Sequence, residues 1–367
     1  MKDSNENNNI RTRGIPNNYG GFEQFAEYLS LSLKNKGHDV SVYNSHNHPY
    51  QQKTWNGVNI IHKFDPEYKL GTVGQFIYDL MCIKDLKKHK ADIILQLGYT
   101  SSSVWWWLLP KNSTIITNMD GLEWKRTKFS KKVQNFLKFA EKLGAIHSDY
   151  LVADSIGIQN NLKKTYNLDS TYIPYGTDIF EEPNISVLKD YNLEKYSYDL
   201  LIARLEPENN IETILQGVTD SNIERPFLVI GNHMTKYGNY LKEKFRKENI
   251  KFLGGIYKKD VLNNLRYFSN IYYHGHSVGG TNPSLLEAMA SNSLICANNN
   301  EFNKYILLVD AYYFTNSNDL KEIHINIKRN DTENIKIQNN LKKVKELYSH
   351  ERIAEQYLDL FEKALKK

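Results

Sequence analysis

Short apolar runs alternate with amphipathic stretches along most of the chain, and the two periods predict strands alternating with helices. In the first half the pattern predicts strands at Asp39–Tyr43, Val58–His62, Asp92–Gln96, Thr114–Asn118 and Tyr150–Ala153. Between them, apolar positions three and four apart predict helices at about 21–36, 73–89, 101–109, 129–145 and 155–165. The second half repeats the rhythm, with strands at 170–173, 198–203, 226–230, 250–253, 271–274 and 293–297. Helices fit at 209–218, 236–247, 258–268, 283–291, 318–327, 332–347 and 350–366. This alternation predicts an α/β fold with parallel sheets covered on both faces. Two such series predict two doubly wound, Rossmann-like domains.

Ile173-Pro174-Tyr175-Gly176-Thr177-Asp178 punctuates the middle of the chain, and a polar, strand-poor stretch follows to about residue 196. The expected division is an N-terminal domain over 1–172, a second over 173–348, and a final helix over 349–367 that packs back towards the N-terminal domain. The start is unusual. A doubly wound domain opens with an apolar strand that leads into its first ligand loop, whereas Asn7-Asn8-Asn9-Ile10-Arg11-Thr12 offers one apolar side chain. Either the first strand is short and irregular, or the chain begins abnormally.

Composition narrows the class without changing it. A chain of 367 residues exceeds one hydrophobic core, and 40% apolar with 24% charged residues is ordinary for a globular protein. A net charge of +5 is too mild to imply a general nucleic-acid binder. Cys82 and Cys296 stand far apart in apolar runs, outside any CxxC, and read as buried free thiols of a reducing compartment. Met1 to Arg13 is polar, unlike a secretory leader, and no run approaches the ~18 apolar residues of a spanning helix. A cytoplasmic protein is expected, attached at most to the inner face of the membrane.

Four segments carry candidate chemistry. Arg13-Gly14-Ile15-Pro16-Asn17-Asn18-Tyr19-Gly20-Gly21-Phe22-Glu23 leads into an amphipathic helix, where Gly20 and Gly21 would let backbone N–H groups approach a phosphate. An ordinary glycine-rich loop fits as well. It is not GxGxxG, which counts against a dehydrogenase. His274-Gly275-His276-Ser277-Val278-Gly279-Gly280-Thr281-Asn282-Pro283 forms a second glycine loop before a helix, with Asn282 suited to the N-cap and Pro283 to the first turn. Glu287 lies just over one turn into that helix, among Leu285, Leu286, Ala288 and Met289, where an ionised carboxylate needs a partner or a ligand hydroxyl. Arg204 leaves the end of a predicted strand and could neutralise a departing diphosphate or pair with Glu206 or Glu208. Asp120 and Glu123, just past another strand, could hold sugar hydroxyls. The His274-x-His276 pair is a weak metal signal, and the chain contains no Asp-x-Asp, so no metal is expected.

Together these segments resemble the family-4 retaining glycosyltransferases of GT-B fold, in particular the bacterial rhamnosyltransferase-like branch of polysaccharide biosynthesis. The strings RGIPNNYGGFEQFAE, NMDGLEWKR, ARLEPENNIET and GHSVGGTNPSLLEAMAS carry the resemblance over about Arg13 to Val309. It implies two Rossmann-like domains facing a cleft, with a nucleotide-diphosphate sugar as donor and a glycan or lipid-linked acceptor. Glu287 matches the second glutamate of the family's Glu-x7-Glu signature and is implied to bind the donor ribose. The first glutamate falls at Gly279, so the Gly279-Gly280-Thr281-Asn282 backbone would hold the donor sugar. Arg204 matches the basic residue implied to stabilise the leaving diphosphate. The lysine usual about five residues later is replaced by Asn209 or Asn210. Gly20 and Gly21 match the loop implied to face the donor phosphates, and Asp120 the polar group near the reacting carbon. Arg204, Asp120 and Glu287 are the expected catalytic residues, with Asp120 and Glu123 on the acceptor side.

Lys125, Arg126, Lys128, Lys131, Lys132, Lys138 and Lys142 crowd one segment, opposed within it only by Glu141. Phe129, Val133, Phe136, Leu137 and Ala140 recur there at helical spacing. Such a helix can lie on an anionic bilayer, or pack into the core with a solvated basic face. Trp105–Trp107 reads as core packing with one ring near the cleft. Two rival functions stand beside transfer: a GT-B nucleotide-sugar epimerase, and a non-catalytic nucleotide-sugar-binding protein.

Overall fold

The computed structural model describes residues 6–10 as backbone, and residues 12–18, 20–126, 128–330 and 333–366 in full. Contacts divide the chain into two compact units. One comprises Met1–Lys125, Phe129–Tyr175 and His350–Lys367; the other comprises Arg126–Lys128 and Gly176–Ser349.

The first unit runs β1 (Glu6–Ile10), α1 (Gly21–Asn35), β2 (Asp39–Ser45), β3 (Thr54–Trp55), β4 (Val58–Lys63), α2 (Glu67–Leu70), α3 (Thr72–Leu86), β5 (Ile93–Leu97), β6 (Thr114–Asn118), α4 (Lys131–Ile146), β7 (Tyr150–Ala153), α5 (Ile156–Tyr166) and β8 (Thr171–Tyr172). Its sheet has the order β3-β4-β2-β1-β5-β6-β7-β8, parallel apart from the short β3–β4 pairing. The near-continuous burial of β5, Ile-Ile-Leu-Gln-Leu, is what a parallel strand covered on both faces requires. The strand order reverses at β1.

The polar start forms a five-residue strand between β2 and β5. β1 pairs in parallel with β2 from Glu6↔Asp39 to Asn9↔Val42, and with β5 from Asn7↔Ile93 to Ile10↔Gln96. Apolar β2 and β5 present hydrogen-bonding edges on both sides, so backbone pairing can order a segment whose side chains would not suggest a central strand.

The second unit runs β9 (Asp199–Ile202), α6 (Ile211–Asp220), β10 (Phe227–Ile230), α7 (Lys236–Lys244), β11 (Ile250–Gly254), α8 (Lys259–Tyr267), β12 (Tyr272–His274), α9 (Pro283–Ala290), β13 (Ile295–Asn298), α10 (Glu301–Leu307), β14 (Tyr312–Phe314), α11 (Ser317–Asn326) and α12 (Asn334–Leu347). Its parallel sheet has the order β11-β10-β9-β12-β13-β14, the doubly wound 3-2-1-4-5-6 arrangement with its switch between β9 and β12. Leu201, Val229, Tyr273 and Cys296 from four neighbouring strands meet Ile214, Leu215 and Leu320 in one core. The last helix, α13 (His350–Leu365), belongs to the first unit. There Tyr357 packs on Phe25 with ring centroids 5.1 Å apart, and His350 stacks on Tyr28 at 3.6 Å.

Two segments differ from their sequence pattern. The helix expected over 101–109 is a 3-10 turn, Ser103–Leu108, kinked at Trp105. Pro110 stops it, and a continuous apolar run carries no period to separate helix from turn. Trp105 donates its indole N–H to the Phe76 carbonyl at 2.9 Å and packs on the core, but Trp106 and Trp107 are 38% and 56% exposed. They are not core residues. Glu141 is the second case: it does not face the lysines of α4 but lies 2% exposed, accepting from Trp124 Nε1 and Tyr166 Oη, each at 2.9 Å. Both cysteines are buried and free. No helix among the described residues is long and apolar enough to cross a membrane.

Candidate active site

Open α/β sheets bind ligands beyond the carboxyl ends of their strands at the switch point. In the second unit that point lies where Ala203–Asn210 leaves β9 and Gly275–Asn282 leaves β12. The two loops are laced together. Asn210 Nδ2 donates to the Gly275 carbonyl at 2.8 Å, and the Ser277 hydroxyl and amide donate to the Glu208 carbonyl at 2.7 and 3.1 Å. Gly275 has to be glycine here, because an added Cβ would meet the Asn209 carbonyl oxygen at 1.9 Å.

Asn209, one of the two asparagines that stand where the resembled family has a lysine, is a hub of this lacing. Its Nδ2 donates to the Arg204 carbonyl at 2.7 Å, which leaves Oδ1 as the acceptor 2.9 Å from His276 Nδ1. His276 therefore carries its proton on Nδ1, and its Nε2 lone pair faces Gly279, where an added Cβ would lie 3.1 Å away. Burial, then the charges of Arg126 and Arg204, push the His276 pKa down to about 4, so the ring is neutral. Burial similarly lowers His274, at the end of β12, to about 3. Its Nε2 is buried without a hydrogen-bond partner among the described residues.

Arg204 is exposed, and among the described residues it forms no salt bridge. The carboxylates that could have paired with it are engaged elsewhere in this unit: Glu206 with Lys128 at 3.0 Å, and Glu208 with Arg126 at 3.8 Å. Burial opposes ionisation of Glu206, but the Lys128 hydrogen bond and charge outweigh it and lower its pKa. Glu208 is 2% exposed at the side chain, with Arg126 3.8 Å away as its ion-pair partner. The switch point thus gathers Arg204 and Arg126 around one neutral histidine.

On the β12 side, Asn282 Oδ1 accepts the Ser284 amide at 2.9 Å and Pro283 opens α9, as the sequence predicts. The first turn of α9 holds no acid, so its positive end is uncompensated by the helix's own side chains. Gly279 adopts φ +130°, a conformation that favours glycine, and Gly280 and the buried Thr281 continue the loop. Glu287 finds a partner that no local pattern reveals. Arg266, 1% exposed on α8, places Nη2 2.7 Å from Glu287 Oε2 and 3.1 Å from Ser284 Oγ. Tyr272 Oη lies 2.8 Å from the same serine hydroxyl. Arg266 thereby fixes the orientation of the carboxylate.

The first unit has its own arrangement at the β1 switch point. Gly20 caps α1 and Gly21 begins it, but Glu23 occupies the first turn, 5% exposed, and accepts the Arg13 amide at 2.8 Å. The positive end of α1 is therefore already met by a carboxylate, unlike that of α9. Asn17 hydrogen-bonds Glu27, and His48 Nε2 lies 3.1 Å from the Pro16 carbonyl, closing the loop. A pocket of about 160 Å³ beside it is lined by Arg13, Glu23, Ser45, His48 and Asp65 among others. Arg13 is bound to Glu67 at 2.6 Å.

Asp120 and Glu123 do not line that pocket. Asp120 follows β6 with φ +45°, its amide donates to Asn118 Oδ1 at 2.9 Å, and Tyr175 Oη donates to Asp120 Oδ1 at 3.3 Å. Tyr175 is edge-on to Phe22 and Phe25 of α1, with centroids 6.5 and 5.9 Å apart. Burial, with Asp120 next, holds its phenol pKa well above the ordinary value. The α1 start and Asp120, separate in sequence, thus share one aromatic neighbour. Glu123 lies in a 3-10 turn, Glu123–Lys125, beyond them. Among the described residues no three His, Cys, Asp or Glu side chains gather as metal ligands.

The whole chain is similar in structure to several sugar-related enzymes. It matches sucrose-phosphate synthase from Thermosynechococcus elongatus at TM-score 0.78 and 16% identity, covering 99% of both chains. A glycosyltransferase from Rickettsia africae matches at 0.73 and 14%, covering 100% of both. HepE from Anabaena, solved with UDP and glucose, matches at 0.75 and 13%, covering 98% of this chain and 99% of that one. The fold is GT-B. Residues 6–178 also match a family model described as a domain of unknown function, DUF1972. No curated protein matches the chain in sequence. The GT-B assignment agrees with the architecture that the sequence motifs implied.

Proposed function

We infer that this chain transfers a sugar from a nucleotide-diphosphate donor to a glycan or lipid-linked acceptor. The observation that carries this reading is the second unit's switch point, where the exposed Arg204 and the acid-free N-terminus of α9 flank glycine-lined backbone. Such an array suits a ligand with a diphosphate, whose negative charge grows as the sugar departs. UDP and glucose bound by HepE, on the same fold, support a nucleotide sugar as donor.

In this reading the Gly279–Asn282 backbone and α9 receive the diphosphate, and Glu287, oriented by Arg266, accepts the ribose hydroxyls. Arg126 takes the place of the absent lysine as the second cation. Neutral His276 offers the donor sugar a ring nitrogen. Charge neutralisation is assigned to these cations rather than to a divalent ion, because the chain lacks Asp-x-Asp. Gly20 and Gly21 are assigned a lesser phosphate contact, since Glu23 already meets their helix end. Asp120 and Glu123 are assigned to the acceptor side.

The proposed chemistry retains configuration. The diphosphate departs, the acceptor hydroxyl attacks the oxocarbenium-like carbon on the same face, and the leaving phosphate takes the hydroxyl proton. The resemblance carried by the sequence motifs supports a role in surface polysaccharide synthesis and makes rhamnose the first donor sugar to test. Incubation with UDP-glucose and with dTDP-rhamnose, with and without a glycan acceptor, tests the reading. Acceptor-dependent release of UDP or dTDP, with a product that keeps the donor's anomeric configuration, is expected. Failure to bind any nucleoside diphosphate would remove it.

A further inference from the structure

One face of the first unit combines exposed aromatic and aliphatic side chains with lysines and carries no exposed acid on its elements. On α4, Phe136, Phe139 and Ile146 are 37%, 54% and 47% exposed, while Leu137, Ala140 and Glu141 turn inward. Phe136 packs on Phe76 of α3 at 5.7 Å, and Trp105, bonded to Phe76, meets Trp107 at 5.9 Å. Trp106 stacks on His147 at the end of α4 with centroids 3.5 Å apart. The exposed rings thus form a continuous patch across α3, the Ser103–Leu108 turn and α4.

The charge on these elements is one-sided. The acids of α3 and α4 are Asp79, Asp85 and Glu141, and all three are buried. The lysines of the same helices, Lys84, Lys131, Lys132, Lys138 and Lys142, are all exposed. Apolar patches on a protein surface commonly mark an interaction site. A protein groove would be expected to bring specific polar partners, whereas exposed tryptophans amid unopposed lysines match the interface of an anionic bilayer, apolar below and negatively charged above.

We propose that the face formed by α3, the Ser103–Leu108 turn and α4 docks on an anionic phospholipid bilayer, with Trp107, Phe136 and Phe139 entering the interface and the lysines meeting the headgroups. This does not rest on the sugar-transfer reading, and its test is separable from it. The full chain is sedimented with phosphatidylcholine vesicles, with and without phosphatidylglycerol, at low and high salt. Binding is expected only with phosphatidylglycerol and is weakened by salt. At roughly fivefold per lysine, Lys132→Glu with Lys142→Glu weakens it by at least about 25-fold. Trp107→Ser with Phe139→Ser also releases the protein, and the parent's tryptophan emission shifts to the blue on binding.

These positions are exposed, so the circular dichroism and thermal unfolding midpoints of the variants should match the parent. Should a double variant fail to fold, the single Lys142→Glu and Phe139→Ser variants carry the test. Absence of vesicle binding by the parent would overturn the proposal. So would binding that persists through both double variants. Concentration-dependent dimerisation lost in Phe139→Ser, without vesicle binding, would assign the face to a second copy instead.

Discussion

Arg266 Nη2 lies 2.7 Å from Glu287 Oε2, a buried guanidinium holding the carboxylate proposed to receive the donor ribose. Arg266 is 2% exposed at its side chain and Glu287 18%, so one partner is structural and the other still reaches solvent. Removing Arg266 strands a carboxylate in an apolar helix, and Arg266→Met is expected to cost about 3 kcal/mol of stability by denaturant unfolding. Glu287→Gln keeps an acceptor for Arg266. It should retain the fold while lowering nucleoside diphosphate affinity about tenfold by calorimetry.

Arg204 and Arg126 are expected to act on the diphosphate unequally. Arg204→Ala should lower kcat/KM by about 100-fold or more, the scale for losing one preorganised charge at a developing anion. Arg126→Ala should weaken UDP or dTDP binding about tenfold and leave uridine or thymidine binding unchanged, with partial recovery in Arg126→Lys. Near-normal turnover of Arg204→Ala would sink the electrostatic account.

Burial lowers the pKa of five histidines, His48, His147, His274, His276 and His324, and the last three, shifted furthest, give stability most of its pH dependence. His276 and His324 titrate near 4 and His274 near 3, below the ordinary 6.5 of the unfolded chain, chiefly because burial disfavours their charged form. As pH falls below 6.5 the unfolded state binds protons that the folded state refuses, so stability drops until the folded rings titrate as well. Three groups imply a slope of up to about 4 kcal/mol per pH unit between pH 6 and 4. Denaturation midpoints across that window measure it, and His276→Gln should flatten the slope by about a third.

Gly275→Ala places a Cβ 1.9 Å from the Asn209 carbonyl. Backbone must move to relieve this, at a cost of about 3 kcal/mol or more. Thermal unfolding should register the loss, together with weaker nucleotide binding, because Asn209 orients His276.

Asp120 separates chemistry from conformation. Its positive φ is tolerated by Asn but costs Ala roughly 1–2 kcal/mol. Asp120→Asn should keep the stability of the parent and reveal in kcat what the charge contributes. Asp120→Ala should lose stability as well.

Much of the fold was legible because each part was local. Thr114–Asn118 and Tyr150–Ala153 are the strands that their apolar runs predicted, and Asn282-Pro283 opens a helix as its capping chemistry requires. β14 and α10 escaped because three and seven residues are too short to display a period. β1 escaped because Glu6-Asn7-Asn8-Asn9-Ile10 contains no apolar run, and the strands whose backbone it pairs with, β2 and β5, lie far along the chain.

The sequence by itself determined where strands, helices and glycine loops fall, since backbone sterics and side-chain period act over a few neighbouring residues. Only the tertiary structure decided the partners. Arg266 meets Glu287 across 21 positions, and Asn118 meets Tyr357 across 239. It turned Glu141 inward from a row of lysines, and it set Asn209 against His276. A buried charge or amide must find a complement wherever packing brings one, and the chain's local pattern does not record that distance.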